Sequence, residues 1–241
     1  MRVLPITIFK QNMAECGVAA SASVANYYNN EISYELTRKL AKKISSDFSD
    51  EGMDTGEIGI LLNKLGFKKV SIVTSDLNIV DFTWSRLNKT AIKKELMKKY
   101  RKDSEADFSG SAYSLYKFLC EKQRINKIII DNNFGYHIRR NIDNRNPVLL
   151  TINWTVLFRK PKYNENDKQD PILGESERHM VICVGYDQKY VCLADPHNDR
   201  HNNRDITYCR KGFYKISWEK LMTVLGLGDI IIPERYRYEL V

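Results

Sequence analysis

Residues 16–28 constrain the chain most. They run from Cys16 and Gly17 through Val18, Ala19, Ala20, Ala22, Val24 and Ala25 to Tyr28. Val18, Ala22 and Ala25 share one helical face; Ala20, Val24 and Tyr27 share another. A helix that is apolar nearly all round must be covered on every side. The fold is therefore built around this helix rather than beside it. Asn29 and Asn30 stop it. Cys16 then stands at the helix N-terminus, where free backbone N–H groups and the positive end of the dipole favour an anion. That position lowers a thiol pKa and populates the thiolate, the form that attacks. Gly17 is expected to keep bulk away from the sulfur, and Gln11 offers a neutral N–H donor for an oxyanion.

A thiolate nucleophile needs a base, and the base needs an orienter. His179 opens one strand-like run and Asp195, before Pro196, closes the next. Taken singly, Cys16 fits a small buried hydrophobe, His179 a structural histidine, Asp195 a turn aspartate and Gln11 a surface residue. Taken together, they fit one reaction centre.

Gln11, Cys16–Gly17, His179 and Asp195–Pro196, in that order, resemble the papain-like cysteine peptidases of the bacteriocin-processing kind. These are the double-glycine leader peptidases and their stand-alone relatives. The resemblance covers roughly residues 5–75 and 146–232. Glu15 stands where the family commonly has aspartate, which keeps the charge. The resemblance implies an α+β fold, with a central helix bearing Cys16 packed on an antiparallel sheet bearing His179 and Asp195. It implies Cys16 as nucleophile, His179 as base, Asp195 as orienter and Gln11 as oxyanion donor. The reaction would pass through a thioester, on a peptide or protein substrate, without a metal or organic cofactor. Transfer of the acyl group to an amine, glutamine deamidation, and a catalytically silent binding module on the same fold are the alternatives. The presence of all four chemical positions argues against the last.

At 241 residues the chain can form one catalytic domain, residues 1–241, with an insertion at about 80–145. No apolar run approaches the ~18 residues of a membrane span, and residues 1–5 lack a signal-peptide core. The expectation is a cytoplasmic protein, export by another route aside. Five scattered cysteines are not a disulfide framework, and free thiols are the default. Cys192, His197, His201 and Cys209 are the competing metal set, but lack the tight paired spacing of zinc sites. The net charge of +8 concentrates at Lys93, Lys94, Lys98, Lys99, Arg101 and Lys102. With only Tyr100 among them this reads as a solvated helix face, and nucleic-acid binding is not expected.

Further helices are expected from Ser33 to Ile44, from Asp54 or Thr55 to Gly66, and over 86–102, 113–123 and 218–224. Strands are expected at 70–73, 127–131, 147–152, 206–208, 213–216 and 230–232. Residues 159–178 read as a long polar stretch, of which 160–177 are expected to be mobile without ligand and to shape substrate choice. His137 shows no partner. The hairpin carrying His179 and Asp195 must have the parity that puts both on one face. A three-residue loop, 187–189, gives that parity with His179 opposite His197. A two-residue loop, 187–188, would pair Cys183 with Cys192 and separate the two.

Overall fold

The computed structural model describes residues 2–50, 52–102, 109–164, 166, 168–197, 199, 203–226 and 228–234. His201 and residues 165 and 167 of the polar loop lie outside them.

Helix α1, Cys16–Tyr28, is buried without a break from Gly17 to Ala25. Its small side chains let helix α3 and the sheet approach closely. Asn29 takes an extended conformation at its end while still donating its N–H to Ala25 O at 2.9 Å. Helix α2, Tyr34–Ala41, starts at Ser33, whose hydroxyl accepts the Leu36 N–H at 3.1 Å. The α-helix stops at Ala41 and only turns continue to Ile44, three residues short of expectation. Helix α3, Thr55–Lys64, opens with a capping box in which the Asp54 N–H donates to Glu57 Oε2 at 3.2 Å. Gly66 follows it at φ +104°.

Among the described residues nine strands form one sheet: β1 (Arg2–Val3), β2 (Lys69–Thr74), β3 (Ile125–Ile130), β4 (Val148–Asn153), β5 (Arg178–Tyr186), β6 (Tyr190–Ala194), β7 (Thr207–Arg210), β8 (Phe213–Ser217) and β9 (Asp229–Glu234). Eight follow the order β3-β2-β9-β4-β5-β6-β8-β7, and β1 joins β5 at Gly185 and Tyr186, beyond the last β4 pairing at Cys183. The pairings are antiparallel except β2 with β3, which is parallel. That one departure from an all-antiparallel sheet has a reason in connectivity. A parallel neighbour needs a crossover, and helices α4 (Lys89–Lys102) and α5 (Ser109–Cys120) supply it.

Residues 80–145 therefore add β3 to the sheet edge and set α5 against α3. Gly56 and Gly59 make that contact possible, because a Cβ at Gly56 would lie 2.3 Å from the Ser114 carbonyl carbon, and one at Gly59 2.6 Å from the Phe118 ring. A buried amide pair, with Asn126 Nδ2 donating to Asn63 Oδ1 at 2.8 Å, ties β3 to α3. Helix α6, Phe134–Asp143, contains His137, whose Nε2 lies 2.8 Å from Asp131 Oδ2, so this histidine does have a partner. Helix α8, Trp218–Leu225, packs against β4.

A short helix α7, Trp154–Phe158, follows β4 and was not foreseen. The described part of the stretch after it is not structureless. Tyr163 bridges Gln169 and Glu175, and Asp170 Oδ1 accepts the Ile172 and Leu173 N–H groups at 3.0 and 2.8 Å. No helix among the described residues is long and apolar enough to cross a membrane.

Candidate active site

Cys16 is the first residue of α1, and the segment before it is held by an unusual anchor. Glu15 occupies the cap position, yet its side chain does not cap the helix. The carboxylate is 1% exposed and turns to α2, where Arg38 donates Nε and a terminal nitrogen to it, each at 2.8 Å. The Tyr34 hydroxyl donates to the same carboxylate. Ala14, just before, is left-handed at φ +57°, a strained setting for a residue with a side chain. The start of α1 is thus fixed in place by side chains of α2. Gly17 has a packing role rather than the expected clearing of space for a substrate. A Cβ there would lie 2.5 Å from Ile58 Cδ1 of α3.

The hairpin of β5 and β6 positions His179 and Asp195 by a route different from either expected loop. Asp187 N–H donates to Tyr190 O, which makes a two-residue turn of Gln188 and Lys189. Neither has a positive φ; Asp187 Oδ1 holds the turn by accepting the Lys189 and Tyr190 N–H groups at 2.9 and 2.7 Å. An even loop alone has the wrong parity. The register then shifts between Cys183 and Gly185, leaving Val184 as the extra residue. Beyond this bulge Cys183 faces Leu193 and Ile182 faces Ala194. That is the register with His179 diagonal to Asp195, and Cys183 is not paired with Cys192. All five cysteines are free.

On that face His179 Nε2 lies 2.7 Å from Asp195 Oδ1. Asp195, 3% exposed, also accepts the His197 N–H on Oδ1 and the Tyr214 hydroxyl on Oδ2, each at 2.9 Å. The Trp154 ring stands edge-on to the imidazole at 4.4 Å between centroids. With Nε2 committed to Asp195, Nδ1 is the ring nitrogen left to serve the Cys16 thiol.

The electrostatics follow from these contacts. Burial raises the Cys16 pKa, but the His179 hydrogen bond and charge, with the Met180 and Gly17 N–H groups, bring it below the ordinary thiol value. Burial opposes the His179 cation, yet Asp195 and Cys16 together raise its pKa. Burial likewise opposes the Asp195 anion, while His179, the His197 N–H and Tyr214 hold its pKa down. The two shifts at Cys16 and His179 favour a thiolate beside an imidazolium, a nucleophile next to an acid. Gln11 joins the cluster through its main chain, its N–H donating to Pro196 O at 3.0 Å, and its buried Oε1 has no hydrogen-bond partner.

Three supporting residues escaped the sequence reading. Tyr214 is a core residue whose hydroxyl also serves Asp195. Trp154 and Arg38 gave no signal, because each meets its partner only across the tertiary structure. Cys192 and Cys209, of the metal set, lie on β6 and β7. No group of three His, Cys, Asp or Glu among the described residues is placed to hold a metal ion.

No curated protein matches the chain. The solved structure "putative C39-like peptidase from Bacillus anthracis" aligns over 98% of this chain and 100% of its own, with a TM-score of 0.46 and 15% identity. The model of the family described as "Peptidase_C39 like family" matches residues 3–225. Spanning most of the sequence, that match makes this α+β chain a member of the C39-like family of cysteine peptidases.

Proposed function

We propose that the protein hydrolyses peptide or amide bonds through Cys16, His179 and Asp195. The observation that carries this reading is the continuous chain of contacts from the Cys16 thiol through His179 and Asp195 to Tyr214, with the thiol pKa lowered at one end. The Cys16 thiolate attacks the substrate carbonyl carbon. The Gln11 side-chain amide and the Cys16 N–H hold the oxyanion that forms. His179 gives its Nδ1 proton to the leaving amine, and a thioester to Cys16 remains. His179 then takes a proton from water, which attacks the thioester and releases the acid. Asp195 keeps the other ring proton on Nε2 and so aims Nδ1 at the sulfur; Tyr214 and the His197 N–H keep Asp195 ionised. Residues 1–241 act as one catalytic unit. Support for counting 80–145 within it comes from β3, which pairs with β2, and from the α3–α5 contact.

The test is mass spectrometry of a complex peptide mixture incubated with wild type and with Cys16→Ala. Cleavage that requires Cys16 is expected. Identical peptide inventories with both proteins would overturn the proposal.

A further inference from the structure

The opposite face of the sheet, the one packed on α1 and α3, carries a row of polar side chains beside Cys16. Met180 on β5 marks its start: its N–H supports the Cys16 sulfur, and its side chain is 3.8 Å from where a Gly17 Cβ would be. Met180 pairs with Thr151 on β4. The β4–β9 register, Leu150 with Ile230, continues to Thr151 beside Asp229, and Asp229 pairs with Thr74 on β2. Cross-strand partners share a face. Thr55, the first residue of α3, donates its hydroxyl to Asp229 Oδ2 at 2.7 Å. Asp76 and Arg178 lie one row further out, each two residues along its own chain.

This row is short of donors. Asp76 and Asp229 are 0% and 4% exposed. Yet Asp76 Oδ2, Asp229 Oδ1 and Thr151 Oγ1 are buried without a hydrogen-bond partner. Buried acceptors in native proteins are almost always satisfied, by protein, water or ligand. Arg178, with half its side chain exposed, comes only to 3.5 Å from Asp76 Oδ2 and makes no hydrogen bond there. Two buried carboxylates therefore share one distant cation. The Asp229 pKa is correspondingly raised, by burial first and by Asp76, against the hydroxyls of Thr74 and Thr55 and the Arg178 charge.

We propose that Asp76, Asp229 and Thr151 form a substrate subsite that receives a primary ammonium, from a lysine side chain or a free N-terminus. This rests on the reading of Cys16 as the nucleophile. Three unpartnered oxygens match the three N–H donors of an ammonium, and the positive charge balances the second carboxylate. The reach is right as well. Two inter-strand spacings separate Met180 from Asp229, roughly 10 Å. A lysine one or two residues from the scissile carbonyl spans that with its own chain and four-carbon stem. Arg178 at the rim gates the site by competing for Asp76.

The experiment uses dipeptidyl acyloxymethyl ketones carrying lysine or norleucine at the first or second residue from the ketone, each with a free or an acetylated N-terminus. Cys16 inactivation is followed for wild type, Asp76→Asn/Asp229→Asn and Arg178→Ala, with iodoacetamide as a probe indifferent to the subsite. Ammonium-bearing probes should inactivate wild type about tenfold faster than acetylated norleucine, the ratio of roughly one charge-assisted hydrogen bond. The acetylated lysine and free norleucine arms tell which source is taken. The preference should collapse in the double variant and widen in Arg178→Ala, an exposed change that spares the fold, with iodoacetamide rates unchanged in both. Equal rates in wild type, as a row filled only by water would give, overturn the subsite while leaving Cys16 chemistry intact. A preference unmoved in Arg178→Ala and in the double variant also overturns it. Slow iodoacetamide labelling of Cys16 in every variant would instead show that the nucleophile itself was misread.

Discussion

Replacing Tyr214 by phenylalanine tests the far end of the contact chain, where no substrate is needed. The ring stays and only the hydroxyl on Asp195 Oδ2 goes. Tyr214 and Asp195 are 2% and 3% exposed, so water cannot take its place without rearrangement. A hydrogen bond to a buried charge contributes about 1.5–3 kcal/mol, and we expect a loss of that size at neutral pH. The sign of the pH effect follows from the lowered Asp195 pKa. Its stabilisation is present above the unfolded aspartate pKa of about 3.9 and is lost as pH falls through the folded value. Without Tyr214 the folded value rises, so acid unfolding should begin at higher pH. The change also travels inward. A less strongly held Asp195 supports the His179 cation less, which in turn supports the Cys16 thiolate less. The acid limb of Cys16 alkylation should move up, by less than the ~1–2 pK units that 1.5–3 kcal/mol would give if wholly transmitted. Urea unfolding against pH and iodoacetamide labelling against pH measure the two effects. Loss of less than about 0.5 kcal/mol with an unmoved alkylation profile would refute the reasoning, because Tyr214 would then be only core.

Cys16 should react with iodoacetamide faster than the other four thiols near neutral pH; burial raises Cys183 to about 12 and Cys192 to about 11. Labelling of Cys120, equally part-exposed, at the same rate would count against an activated Cys16. Gln11→Ala should lower kcat by about 10²–10³ with little change in KM, since an oxyanion donor acts only in the transition state. Full activity in that variant would make Gln11 a bystander. Arg38→Ala should destabilise the fold by about 1–3 kcal/mol in urea titration, below the ~3–5 typical of a buried pair because Arg38 is 41% exposed. A neutral result would mean that Tyr34 and Asn12 satisfy Glu15 without Arg38.

Local signals were legible where the physics is local. The bounds of α1, the Ser33 cap and the Asp54 capping box follow from residues within one turn of the feature they create. The hairpin shows the limit. Its needed parity was deduced from the chemistry, but a three-residue loop was expected where the chain uses a two-residue turn and a bulge at Val184. Valine carries no mark of a bulge. The shift is set by what pairs on either side of β5, where Leu4 N–H donates to Val184 O at 2.7 Å as β1 passes. Turn preference alone could not see that second edge.

By itself the sequence determined that a buried helix would begin at Cys16, and it named the residues that could serve that thiol. Both rest on composition and order, which the chain carries whatever its neighbours. Only the tertiary structure decided who supports whom. Tyr214 on Asp195, Trp154 on His179, Glu15 turned to Arg38 and the row of Thr151, Asp229 and Thr74 beside Met180 all join residues far apart in the chain. A cross-strand neighbour is chosen by register and strand order, and those are properties of the assembled sheet rather than of any one segment.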